Sequence, residues 1–298
     1  MRSLLSGIAL LAALALLAGC GGGKKGTDIA FVSTRDGDYA IFAMTADGGG
    51  QHRLTSREVD VSTPQALFFQ IEPSWSPDSA TIAFASRRAG TFDIYAMNAD
   101  GTGTKQLTSG KQSDNHPTYS PDGRRIVFAR DSDIYVMGAD GTALKQISGA
   151  EAEDSYPSWS PNGTWIAYVR RASGFVAREI WLMHPDGSDA HALTKIGGDV
   201  LQPAWSPDSS RIVFSSKPAD GKFFELRTIG VDGKGLREVV PTASDDFAPS
   251  WSPDGAKIAY VEDGAVFTVE LGSGDLEKLT SQDSNDSSPV WNPTQSND

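Results

Sequence analysis

The sequence predicts an all-β fold, a six-bladed β-propeller closed by its C-terminal strand joining the N-terminal blade. Three observations carry that prediction. A short motif, Pro-Ser-Trp-Ser-Pro-Asp at Pro73–Asp78, recurs with small variations from Pro117, Pro157, Pro203 and Pro249, and a last copy, Pro-Val-Trp-Asn-Pro, begins at Pro289. Its aromatics, Trp75, Tyr119, Trp159, Trp205, Trp251 and Trp291, are spaced 44, 40, 46, 46 and 40 residues apart, a period that marks propeller blades or solenoid repeats. The third observation is the phase: each copy carries four strand signals, yet the chain enters the pattern on a second strand at Ile29 and leaves it on a first strand at Trp291.

Each strand has its own physical signature. The first is the aromatic strand, closed by Ser-Pro-Asp-Gly or a near variant. There Pro presets φ, Asp or Asn bonds locally, and Gly accepts a positive φ. The second is a nearly continuous apolar run, Ile29-Ala30-Phe31, with counterparts at Ile82, Ile126, Ile166, Ile212 and Ile258, as expected of a strand covered on both faces. The third, Ile94-Tyr95-Ala96-Met97 and its equivalents at Ile41, Ile134, Ile180, Leu226 and Val266, runs into Asp-Gly at Asp47, Asp100, Asp140, Asp186 and Asp232, a hairpin signal. The fourth is short and amphipathic, as in Gln106-Leu107-Thr108. The phase then has the C-terminus supplying the first strand that the opening blade lacks, which closes the ring and leaves no sheet edge at the seam. An open solenoid would want capping repeats with polar outer faces. The six aromatics are expected to pack between blades near the axis.

The first residues differ in kind. Arg2 and the apolar run Ile8–Leu17 read as an export signal, too short to span a bilayer as a helix. Leu17-Ala18-Gly19-Cys20 resembles the bacterial lipoprotein signal, with Cys20, the one Cys in the chain, taking the lipid. An ordinary secretory signal with a chance Cys is the alternative. The expected organisation is a signal peptide over 1–19, a lipidated Cys and flexible tether over 20–27, and the propeller over 28–298. Acyl chains contribute about 0.8 kcal/mol per buried methylene, enough for stable anchoring. The expected location is the exported side of the cell envelope, on the periplasmic face of the outer membrane in a Gram-negative cell.

The net charge of −12 argues against nucleic acid, which calls for a basic footprint, and allows cationic partners. The repeats resemble the Pro-Asp variety of WD-like propeller repeat found in the propeller of TolB, in dipeptidyl-peptidase-like and tricorn-like proteases and in oligogalacturonate lyase. The resemblance covers about Asp28–Pro293 and implies a TolB-like six-bladed propeller. It is specific for fold and weak for function, because such folds host many sites. TolB also carries an N-terminal α/β domain, whereas here Gly21–Thr27 alone separate Cys20 from the first strand, so a role in the Tol-Pal machinery does not follow from the resemblance.

Catalytic signatures are missing from the sequence. No Gly-x-Ser-x-Gly elbow occurs. His52, His116, His184 and His191 form no zinc-like spacing, although His184 and His191 flank one Asp-Gly turn. No catalytic residue, metal site or cofactor is predicted. One constellation stands out: Asp114, Asp154, Asp199, Asp245 with Asp246, and Asp286 lie three or four positions before first-strand prolines, and Glu72 directly precedes Pro73. First strands line a propeller's channel, so these carboxylates and His116 are expected to ring one mouth of it. Loops after the second strands bring Arg35, Arg88, Arg130, Arg170 and Lys217 to the same face. Either these cations pair with the carboxylates, or some carboxylates stay available for a cation or a basic segment of a partner. The long connection Ser56–Glu72, with Leu67-Phe68-Phe69, and the loops Ala172–Arg178 and Lys217–Phe224 are further candidate binding surfaces. The expected function is a monomeric, lipid-anchored, non-catalytic module that binds or scaffolds an envelope protein or peptidoglycan-associated partner. A lyase-like carbohydrate enzyme and an ion or small-ligand sensor at the channel mouth are the alternatives.

Overall fold

A computed structural model describes residues 27–55, 70–149, 152–172, 177–240 and 244–294. Among these, 24 strands form six four-stranded antiparallel sheets. In the first blade the order from the axis outward is Gln70–Trp75, Thr81–Ser86, Asp93–Asn98 and Lys105–Gln106. The second to fifth blades follow with inner strands Asp114–Tyr119, Ala152–Trp159, Asp199–Trp205 and Asp246–Trp251. The sixth sheet is the seam. Its inner strand, Ser287–Trp291, comes from the C-terminal end and pairs with Ile29–Ser33, setting Ile29 opposite Trp291 and Ala30 opposite Val290.

The seam carries its own latch. In the other five blades the turn after the aromatic opens on Ser; in the first, Ser76 Oγ donates to Asp78 Oδ1 at 2.6 Å and accepts the Thr81 N–H at 2.9 Å. This hydroxyl and the Ala80 N–H hold the Asp78 carboxyl below its ordinary value, and the same arrangement with the Ser210 hydroxyl added takes Asp208 down to about 2. At the seam the residue is Asn292. Its backbone N–H donates to Asp28 O at 2.7 Å and its Nδ2 to Thr27 O at 3.1 Å, tying tail to head.

The core is divided among the blade boundaries. Each of six apolar clusters holds one aromatic from an inner strand, packed against the neighbouring blade. Trp75, for example, meets Ile41 and Leu54 of the seam blade as well as Ile82 and Tyr95 of its own. The short fourth strands are held by a side chain: the hydroxyls of Thr55, Thr108, Ser148, Thr194 and Thr280 accept the N–H of Ile41, Ile94, Ile134, Ile180 and Val266 at 2.8–3.1 Å. That explains why the apolar residue of the fourth strand is followed by Thr or Ser in five copies; Val240 takes that place in the fourth blade.

A candidate binding site at the channel mouth

The inner strands do not alternate simply. Each bulges against its second strand, and the residue before each proline takes a left-handed φ of 50–58°: Glu72, His116, Tyr156, Gln202, Ala248 and Ser288. A residue before proline ordinarily favours extended backbone, and non-glycine residues seldom adopt φ > 0. Six repetitions make this a built feature of the frame. A bulge inserts one extra residue and shifts the side-chain phase. Asp114, Pro117 and Tyr119 therefore turn into the protein while Asn115, His116 and Thr118 are only partly buried.

This shift corrects the expected ring of carboxylates. Asp114, Asp154, Asp246 and Asp286 are no more than 2% exposed and do not line the channel. Three of them bind guanidinium groups. Arg130 Nε donates to Asp114 at 2.7 Å and Arg170 to Asp154 at 2.7 Å, each pair with two bonds, while Arg35 donates to Asp286 at 3.0 Å. These arginines also stack on third-strand aromatics, Arg35 on Phe42 at 4.9 Å, Arg130 on Tyr135 at 5.3 Å and Arg170 on Trp181 at 4.7 Å. Arg88 sits over Tyr95 at 4.8 Å, and Lys217 Nζ lies 6.0 Å from the Phe224 ring centroid. Asp199 bonds Arg178 at 2.9 Å, and Asp245 accepts the Phe224 N–H at 2.8 Å. Asp246 stands opposite Glu262 in register, where the second and third blades have arginine.

The channel mouth is lined instead by the six bulge residues and the prolines after them, around a cavity of about 210 Å³. Of the candidates, Glu72 and His116 lie here. Both Glu72 oxygens are engaged: Oε2 accepts the His116 backbone N–H at 2.7 Å, and Oε1 lies 2.9 Å from His116 Nε2. The Tyr156 ring is 3.9 Å from the His116 ring, centroid to centroid. Three blades on from Glu72, Gln202 Oε1 accepts the Ala248 N–H at 2.8 Å, the same blade-to-blade bond as Glu72 makes. Tyr156, Gln202, Ala248 and Ser288 were not foreseen from sequence. Their signal was available in the fixed place before each proline, where the six copies carry six different residues. Larger clefts of about 650 Å³ lie away from the axis, lined mainly by turns and outer strands.

The boundaries between blades hold a second kind of carboxyl. Asp93 is buried beside the Asp114–Arg130 pair and Asp133 is partly buried beside Asp154–Arg170; desolvation first, then the neighbouring carboxylate, pushes each up from its ordinary value. A raised value means the folded state holds its proton more tightly. The stability this contributes is present below the ordinary value near 3.8 and is lost as pH rises through the raised one. At pH 7 the buried charge is therefore a net cost. Asp93→Asn is expected to raise the thermal midpoint at pH 7 and to gain progressively less toward pH 4; an equal gain at both values would show that the charge is not the cause.

Elsewhere the chemistry is sparse. His184 stacks on Trp165 at 4.2 Å, and its Nε2 lies 3.9 Å from Asp189 Oδ2, while His191 Nδ1 lies 3.9 Å from Asp189 Oδ1. Among the described residues no group of three or more His, Cys, Asp or Glu is placed to hold a metal ion, and no helix is long and apolar enough to cross a membrane. Cys20, Leu67-Phe68-Phe69 and the middle of the Ala172–Arg178 loop lie outside the described residues. In the Lys217–Phe224 loop, Phe224 packs on Phe247 at 5.1 Å and Phe223 is exposed.

Comparison with known proteins places this geometry. The sequence profile of the TolB beta propeller domain matches residues 67–243, more than half of the chain. A TolB homologue of Chlorobium luteolum is 27% identical over 137 residues, 35% of this chain and 31% of its own length. The Tol-Pal system protein TolB of Gluconobacter oxydans is 43% identical over 60 residues, 20% of this chain and 13% of its own. An uncharacterised Agrobacterium fabrum protein is 30% identical over 108 residues, 36% of this chain and 34% of its own. The matches thus span about a third or less of these relatives. Among solved structures, TolB from Acinetobacter baumannii superposes with a TM-score of 0.74 at 20% identity, over 90% of this chain and 67% of that one. Oligogalacturonate lyase in complex with manganese superposes with a TM-score of 0.54 at 15% identity, over 70% and 64%. At these identities the likeness is one of fold.

Proposed function

The chain belongs to the TolB beta propeller domain family, and we propose that it is a non-catalytic, lipid-anchored module of the cell envelope that binds a partner protein at its channel mouth. The observation that supports this most is the contrast between frame and mouth. Pro, the aromatic and the Asp turn repeat almost unchanged from blade to blade, because packing and turn geometry fix them. Glu, His, Tyr, Gln, Ala and Ser share one position in six identical backbone settings. Packing does not dictate those residues, so recognition is free to. The Tol-Pal relatives favour a protein partner in the envelope. A peptidoglycan-associated protein is one such partner.

The anchor fits this orientation. Thr27 and Asp28 sit beside Asn292, at the turn end of the inner strands, whereas Glu72 and His116 lie toward their opposite end. A tether of Gly21–Gly26 reaches at most about 20 Å at roughly 3.5 Å per residue, so lipid on Cys20 would hold the turn face toward the membrane and leave the mouth open to the periplasm.

Two results are expected in cells. Cys20→Ala moves the protein from the membrane fraction to the soluble fraction. A photo-crosslinking residue at Ser288 yields a discrete protein adduct, and one at Ser273 on the turn face does not. Equal adducts from both positions, or from Ser273 alone, would sink the mouth as the binding face.

A further inference from the structure

We propose that the channel mouth is a socket for one primary ammonium, the side chain of a lysine presented by the partner; this rests on the mouth being the partner-binding site. Among the described residues lining the cavity, Glu72 is the one carboxylate and none is Lys or Arg. The nearby arginines are committed elsewhere: Arg130, Arg170, Arg35 and Arg178 each bond an Asp outside the cavity. His116 fixes the carboxylate in place through its backbone N–H and its Nε2. Each oxygen of an ionised carboxylate has more than one acceptor site, so Glu72 keeps capacity for a further donor. His116 Nδ1 is buried, so the ring acts by positioning Glu72.

The walls favour the same ligand. Tyr156, close against His116, offers an aromatic face, to which a desolvated cation is attracted. The Glu72 charge reaches the Tyr156 phenol, which is pushed up first by burial and then by this carboxylate. Ala248 and Ser288 are small and leave the opposite arc open. A cavity of about 210 Å³ falls below the range of roughly 300–1,000 Å³ typical of sites for drug-sized ligands. It suits a single extended side chain rather than an oligosaccharide. The protein's net charge of −12 draws cations toward it.

The test uses the full chain purified in detergent, titrated with N-acetyl-lysine methylamide and followed by NMR at the His116 and Tyr156 rings. Saturable binding is expected, about tenfold weaker for the Nε-acetylated probe and about tenfold weaker in Glu72→Gln, since a charge-assisted bond is lost in each case. Tyr156→Leu weakens it several-fold, and Glu277→Gln, at an exposed carboxylate on an outermost strand, leaves it unchanged. Glu72→Gln retains side-chain acceptor and shape, and its melting curve reports that the fold is kept. Equal binding of the acetylated probe, stronger binding of N-acetyl-glutamate methylamide, or no saturable binding to the wild-type chain would each overturn the proposal. A Ser288 adduct that persists alongside such a result removes the ammonium socket and leaves the binding face standing.

Discussion

A chain ending at Asp286 is expected to lose cooperative folding altogether. The deletion removes Ser287–Trp291, the inner strand of the seam blade, together with the Asn292 bonds to Asp28 and Thr27. It exposes the edge of Ile29–Ser33, a strand buried along its whole length, and an exposed apolar edge invites pairing between chains. The milder variant Trp291→Ala keeps the strand but empties a cluster shared with Ala259, Val266 and Leu279 of the fifth blade. Its cost is about 3–5 kcal/mol, a large part of the roughly 5–15 kcal/mol that holds most domains folded. Leu276→Ala, at an exposed apolar residue on an outer strand, serves as the control and changes stability by no more than about 0.5 kcal/mol. Urea unfolding measures all three. A truncated chain with a native-like transition would contradict closure.

Asp154→Ala is expected to destabilise the protein by about 3–5 kcal/mol, because it strands the partly buried Arg170 guanidinium without its partner. The repeat itself suggests the repair. In the fourth blade the positions equivalent to Asp154 and Arg170 are Val200 and Ser216, opposite each other in register and fully buried. Asp154→Val with Arg170→Ser therefore installs a pair this frame already tolerates, and the double variant should lose clearly less stability than Asp154→Ala alone. Full recovery is not expected, because Arg170 also covers Trp181 and Tyr168. A double variant no better than the single one would mean that the ion pair is not what the position requires. Guanidinium chloride is unsuitable for this comparison because its salt screens charge; urea is the better denaturant.

How far the sequence could be read depends on what each residue answers to. Trp75, Tyr119 and their counterparts answer to packing, and the Ser-Pro-Asp turns to local backbone preference, so both are visible in the repeat and fix the number of blades. The seam was legible because the phase of Ile29 and Trp291 leaves the opening blade without a first strand and the last first strand without a blade of its own. The bulge was not. Nothing in Asp-Asn-His-Pro-Thr-Tyr announces an extra residue, and a period of two puts Asp114 with His116 and Thr118 on the channel side. The bulge reverses that assignment, moving the acids to the inside with their arginines and leaving the residue before proline at the mouth. Glu72 and His116 stand out in the sequence by their chemistry, whereas Tyr156, Gln202, Ala248 and Ser288 carry no charge to mark them. Asking where the copies disagree would have found all six.

The closed ring is the claim on which the mouth, its cavity and its ligand depend, and native-state hydrogen exchange tests it without altering the protein. The amides of Ile29–Ser33 that face Ser287–Trp291 should be as protected as those of the equivalent strand Arg125–Arg130 in the second blade, whose neighbours are joined to it by continuous chain. Exchange at Ile29–Ser33 that is orders of magnitude faster, with Arg125–Arg130 still protected, would mean that the tail does not stay docked and that the ring is open.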